Sequence, residues 1–199
     1  LVGLAPEALN KHNIYDVPLK LFEIKEALEK HLTATTTHLF NLTHRIVLFD
    51  LTNTYFEGQK RHSLKAKRGR SKEKRSDAKL LVLALAINPE GFIKYSAILE
   101  GNASDPGSLS DMAEQLAKQT LTGNEKVLVV IDAGIATKDN LALIQEKGYD
   151  YLCVSRSKPD VESIARDAKS VTVKDANARP ITLTAVTTKM DDGSYWLKI

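Results

Sequence analysis

The sequence predicts an α/β protein with a mixed sheet and flanking helices, and three observations predict it. Apolar runs alternate with amphipathic stretches between residues 80 and 154, two of those runs are joined by a short glycine-ended turn, and past residue 156 the pattern becomes short alternating runs between polar turns. Strand, helix, strand, helix, strand order implies right-handed parallel crossovers on a covered sheet. The glycine-ended turn implies an antiparallel hairpin, and the last pattern a small antiparallel insertion.

Taken in order, residues 1–44 read as a helical segment. Asp16 is placed to cap a helix whose first turn takes Pro18, and Leu21, Ile24, Leu28 and Leu32 recur at helical spacing with Phe22 beside them. A core of residues 45–157 follows. An apolar run at 46–49 stops at Asp50, and residues 51–56 lead to a basic loop at 60–79. Strands are expected at 80–87 and 92–99, the first apolar enough for burial on both faces. A helix capped by Ser104 or Asp105 should span 106–119, with Leu109, Met112, Ala113 and Leu116 inward. A strand at 127–131 ends at Asp132, Thr137 caps a helix at 139–147 that Gly148 closes, and 151–154 is a further strand. Residues 158–199 read as a partial β-rich insertion, with strands at 171–173, 181–186 and 195–199. Opening on Leu1 within an apolar stretch and stopping inside a strand, the chain reads as a piece of a longer protein, although processing would give the same start.

Composition narrows the function classes. With 43% apolar and 27% charged residues in 199, this is a globular protein of about one domain. Its longest clearly apolar run, 80–87, is too short to span a bilayer, and no secretory signal opens the chain. Cys153, the single cysteine, lies in an apolar stretch as a small buried hydrophobe would, which suits a reducing cytoplasm. The five histidines (12, 31, 38, 44, 62) show no close metal-ligand spacing, and no phosphate-binding glycine loop follows a strand. The net charge of +3 is unevenly distributed: residues 60–79 carry ten Lys or Arg against Glu73 and Asp77, and the rest of the chain is net negative. Such a run repels itself, and a polyanion relieves the repulsion. With few apolar anchors it is expected to be poorly ordered without DNA, above all across its middle, with partial tethering at Leu64 and Asp77 shortening the mobile part.

Ligand groups in open α/β sheets gather at the carboxyl ends of strands, where Asp50 and Asp132 are both expected. On neighbouring strands, roughly 4.8 Å apart, both carboxylates could reach one hard cation. Their oxygens suit Mg2+, with Mn2+ as a substitute, and such ions also hold substrate phosphate.

The chain resembles the DDE transposases of bacterial insertion sequences, in the branch with a ribonuclease H-like core interrupted by a β-rich insertion. The resemblance rests on the block from Phe49 to Gly58 around Asp50, and on Gly69-Arg70-Ser71-Lys72-Glu73-Lys74-Arg75-Ser76-Asp77. It rests also on Gly101-Asn102-Ala103-Ser104-Asp105, on Val130-Ile131-Asp132-Ala133-Gly134, and on Gly148-Tyr149-Asp150-Tyr151 with Arg156. These five blocks stand in the family's order over a little more than half of the chain. The resemblance implies that Asp50 and Asp132 are the first two metal-binding acids of a Mg2+-dependent site. The reactions implied are hydrolysis at the transposon end and then attack of the freed 3′-hydroxyl on target DNA. Lys72, Arg75, Lys79 and Arg156 would face DNA phosphate, and Asn102 would organise the approach to the site. Asn53 stands where the family often has threonine. The third acid, normally in a late Tyr-x-x-Arg-x-x-x-Glu helix, has no such motif here, and Glu162 lacks its context. The expectation is thus the front part of a catalytic domain, inactive by itself. Its implied partners are transposon ends and target DNA, with a homodimer in the intact protein, in the bacterial cytoplasm at the nucleoid.

Several residues carry plainer readings: Asp105 as a helix cap, Asn102 as a turn former, Arg156 in a surface ion pair, Trp196 packed in the insertion, and Tyr55 and Phe56 covering the core edge. Two other functions compete. One is a non-catalytic nucleic-acid-binding remnant; the other is a different ribonuclease H-like nuclease, since two carboxylates do not choose the substrate.

Overall fold

The computed structural model describes residues 10–42, 45–69, 77–103, 105–120, 126–154, 170–175, 177–186 and 196–198. These fall into two compact units, Leu1–Val154 and Ser155–Ile199.

In the first unit a mixed five-stranded sheet, ordered β3-β2-β1-β4-β5, is flanked by helices, consistent with a ribonuclease H-like α/β fold. Strands β1 (Ile46–Tyr55), β2 (Leu80–Ile87) and β3 (Ile93–Glu100) form an antiparallel meander. The next two, β4 (Leu128–Ile131) and β5 (Asp150–Cys153), add in parallel on the other side of β1. Helix α3 (Asp105–Thr120) makes the crossover into β4, and α4 (Lys138–Glu146) the crossover into β5. Ser104 lies outside the described residues.

Alternation along the strands sets the core. Val47, Phe49, Ala84, Ala86, Val129 and Ile131 share one cluster with Leu109, Met112, Ala113 and Leu116 of α3 and Ile144 of α4. The inner face expected for α3 is therefore the one it buries. The expectation that β2 is buried on both faces needs correction. Leu80, Val82, Ala84 and Ala86 are buried, whereas Leu83 on the alternate face is 39% exposed. A β-bulge between β2 and β3 at Ala86/Ile87 makes room for Lys94 beside Tyr95, both buried.

The helical segment also differs from expectation. It comprises α1 (Lys11–Glu23) and α2 (Lys25–Phe40), separated at Ile24. Asn10 caps α1, its side chain accepting from the Asn13 amide, so Asp16 and Pro18 lie inside the helix instead of at its start. The Leu21, Ile24 and Leu32 stripe is 47–54% exposed. What α2 lays on edge strand β3 is mainly polar: Lys25 donates to the Ser96 carbonyl, Ser96 donates to Glu29, and Thr33 donates to the Ile93 carbonyl. Phe40 stacks on Phe92 at 5.4 Å.

The second unit contains a three-stranded antiparallel sheet, β6 (Ser170–Lys174), β7 (Pro180–Val186) and β8 (Trp196–Lys198), in the order β6-β7-β8. This is the small antiparallel sheet expected from the alternating runs. Among the described residues, no helix is long and apolar enough to cross a membrane.

Candidate metal and nucleic-acid site

The parallel pairing of β1 with β4 builds the site. Its last register pair is Phe49 with Ile131, both in the core. One residue further on, β4 has ended and Asp132 opens a turn, while Asp50 faces that turn from β1. Adjacent parallel strands lie roughly 4.8 Å apart, so the register makes Asp50 and Asp132 neighbours. Both residues are exposed.

One half of the strand-end expectation is corrected. Asp132 does follow its strand, but Asp50 lies within β1, which runs on to Tyr55 paired with β2. The apolar run stops at Asp50 because no residue of β1 from there on is fully buried, not because the strand stops. A step in the sheet results. Strands β4 and β5 end level with each other at Ile131 and Cys153, while β1, β2 and β3 continue past them as a three-stranded ribbon. The carboxylate pair lies at the foot of the step.

Local contacts hold both acids. The Thr52 hydroxyl donates to Asp50 Oδ2 at 3.5 Å. The Asp132 carbonyl accepts from the amides of Ile135 and Ala136 at 3.0 and 3.1 Å, which closes the turn. Asn140, fully buried, donates from Nδ2 to the Ile135 carbonyl at 2.6 Å, and its amide donates to the Thr137 cap. Sequence reasoning missed Asn140 as the residue that ties this turn to α4. Its one signal was an asparagine three residues past a threonine cap, where an exposed polar residue is the ordinary reading.

The other expected site residues are less gathered. The Lys79 Nζ donates to the Lys60 carbonyl at 3.1 Å. Asn102 is exposed two residues past β3, whose Glu100 pairs with Leu81, four positions along β2 from the Leu85 opposite Asp50. It therefore belongs to the far end of the ribbon. Lys72, Arg75 and Arg156 lie outside the described residues. Cys153 is half-buried with its thiol pushed up by burial, as suits a packed side chain. Among the described residues, no group of three or more His, Cys, Asp or Glu is placed to hold a metal.

The middle of the basic loop, residues 70–76, where disorder is expected, lies outside the described residues; the expected anchor at Leu64 needs correction. Where described, the loop is fastened to the sheet by Ala66, 1% exposed, and not by Leu64, which is 85% exposed. Lys67 and Leu80 exchange amide–carbonyl hydrogen bonds at 3.2 and 2.7 Å, and the Gly101 amide donates to the Lys65 carbonyl at 3.0 Å. Backbone pairing supplies what apolar anchors do not.

Neither a protein-family model nor a curated protein matches the sequence. Among solved structures, the chain is similar to the catalytic domain of Mos1 mariner transposase at 12% identity and a TM-score of 0.40, covering 79% of this chain and 68% of that one. It is similar to the Mos1 transposase paired-end complex with the left transposon end at 13% identity and TM-score 0.38, covering 78% and 46%. It is also similar to the piggyBac transposase synaptic complex with hairpin DNA at 12% and 0.37, covering 98% and 44%. The chain thus spans less than half the length of the last two. At these identities and TM-scores the likenesses establish neither fold nor function.

Proposed function

We propose that this chain is part of a DNA transposase catalytic core, with Asp50 and Asp132 as two of the carboxylates of a Mg2+ site. The observation that supports it most is the β1–β4 register, which makes two acids far apart in sequence neighbours at the foot of the sheet's step. Magnesium is held by one or two carboxylates together with waters and substrate phosphate, so a pair of exposed aspartates suits it better than calcium or zinc. Such ions, when bound, would activate the attacking oxygen and stabilise the departing one in phosphodiester hydrolysis and strand transfer. The chain's own part would be to fix the two carboxylates, Asp50 by its place in a paired strand and Asp132 through the turn that Asn140 holds. Lys72, Arg75, Lys79 and Arg156 belong to the proposal as phosphate contacts, and Asn102 as an organiser of the approach. So do Mn2+ as substitute, a homodimer of the intact protein joining two DNA ends, and a bacterial cytoplasmic setting.

The test is Mn2+ binding followed by electron paramagnetic resonance. Asp50→Asn and Asp132→Asn should each weaken binding roughly tenfold or more, about 1.4 kcal/mol, and the double variant should abolish it. Wild-type affinity in the double variant would remove the metal reading. The net charge of the 60–79 segment favours a second reading, a non-catalytic nucleic-acid-binding domain. Duplex binding without any Mn2+ binding would select it.

A further inference from the structure

The described part of the basic loop is built like a fixed surface. After Tyr55 the chain crosses the end of β2, and residues 65–67 take the place beside Leu80 that an extended β3 would occupy. Two glycines permit the crossing. A Cβ on Gly69 would collide with the Gly101 carbonyl, and one on Gly101 would collide with the carbonyls of Leu80 and Lys67. Backbone therefore touches backbone where any side chain would hold the strands apart. The same loop keeps Lys60 at φ 38, a left-handed conformation that few side-chain-bearing residues adopt. That conformation is held because the Lys60 carbonyl accepts from both the Ser63 amide and the Lys79 Nζ. Residues in such conformations persist only where surrounding structure fixes them. From this frame Lys60, Arg61, Lys65, Lys67 and Arg68 are all exposed.

Register sets the distance to the acids. Tyr55 pairs with Leu80, and Leu80 bridges to Lys67 on its other side. Lys67 is therefore five residues along β1 and two strand spacings across from Asp50, on the order of 20 Å. We infer that residues 60–69 form a prebuilt platform for the phosphate backbone of duplex DNA, locked to the sheet by the Gly69–Gly101 crossing. It would take a stretch of duplex roughly six base pairs from the phosphate at the acids, at about 3.4 Å per pair. The inference rests on the proposed DNA reading but not on metal at Asp50 and Asp132. Because the backbone that carries the cations is in place before DNA arrives, only their side chains need ordering on binding.

The experiment measures duplex affinity against salt for the whole chain, with EDTA present so that the metal pair plays no part. Replacing Arg61, Lys67 and Arg68 together with glutamine should lower the logarithmic salt slope by about 2.7, at about 0.9 per lost phosphate contact. Gly69→Ala removes no charge, yet should also flatten the slope, because it displaces the cations from their shared surface. The Asp50→Asn, Asp132→Asn double variant should keep at least the wild-type slope, which separates failure of the platform from failure of the metal site. An unchanged slope in the glutamine variant overturns the inference. So does a wild-type slope in Gly69→Ala that keeps its circular dichroism spectrum and melting temperature. Should Gly69→Ala not fold, Lys65→Gln added to the triple variant decides: a further fall of about 0.9 supports the platform, and no further fall overturns it.

Discussion

Lys94 is the residue whose environment conflicts most with its chemistry. It is 2% exposed, and its Nζ has no hydrogen-bond partner among the described residues. Burial lowers its pKa from the ordinary 10.5, opposed in part by Glu90. Below the lowered pKa the folded protein holds a charge out of water. Between that value and 10.5 the unfolded chain binds more protons, so stability rises with pH across the window. Lys94→Met should therefore stabilise the protein by about 1–3 kcal/mol at neutral pH, with the gain shrinking as pH approaches about 10. Chemical denaturation of both proteins at several pH values checks this, and a gain that does not vary with pH would contradict it. At the opposite extreme, Tyr149 is buried with a partner: its hydroxyl donates to the Ala113 carbonyl at 3.0 Å and joins the residue just before β5 to α3. Tyr149→Phe removes that bond, while the carbonyl stays within the helix's own hydrogen bonding, and should cost about 1 kcal/mol.

Among the elements, the turn between β4 and α4 does the most to place the site. Its geometry depends on two residues of α4's first turn. Thr137 caps the helix by accepting from the Asn140 amide at 3.3 Å, and the buried Asn140 side chain donates back to the Ile135 carbonyl. Thr137→Ala should cost about 1 kcal/mol of stability. Asn140→Ala should cost about 1 kcal/mol, because the Ile135 carbonyl loses its side-chain donor and keeps only the Thr137 amide, and it should also weaken Mn2+ binding although Asn140 is no ligand. Denaturant titration together with Mn2+ affinity tests the pair of effects. Asn140→Ala with wild-type Mn2+ affinity would show that the turn does not position Asp132. Gly148, at φ 84, closes α4 in a conformation that favours glycine, as its place after the helix implied.

For the molecule as a whole, the first unit is a sheet buried on one face by α3 and α4. Ile46, Leu48, Leu83 and Leu152, all 37–44% exposed, lie at strand positions that alternate with the core. Position along β2 therefore decides the effect of a charge. Leu83→Glu should change stability by about 0.5 kcal/mol or less. Ala84→Glu, at 0% exposure in the main cluster, should cost about 3 kcal/mol or more. Equal effects at the two neighbouring positions would contradict the one-sided burial.

The sequence by itself determined the elements whose signals are local. Helical spacing gave α3 its buried face through Leu109, Met112, Ala113 and Leu116, and a threonine cap with a terminal glycine bounded α4. The glycine-ended turn made β2 and β3 a hairpin. Local patterning also marked Asp50 and Asp132, because an apolar run broken by an acid is visible wherever it occurs. It could not show that β1 continues beyond Asp50, since beyond that point the strand is held by pairing with β2, which lies 25 or more residues away in the chain. Nor could it show that β4 lies against β1, which is what makes the two acids neighbours. The near end of the basic loop was hidden in the same way: its charges pointed to Leu64 as the anchor, and only tertiary contact disclosed that backbone pairing at residues 65–67, the buried Ala66 and two close-packed glycines hold it beside the sheet. Hydrophobic period and capping are properties of a few consecutive residues. Strand order, register and backbone crossings are decided by partners distant in sequence, so they come into being only when the chain closes on itself.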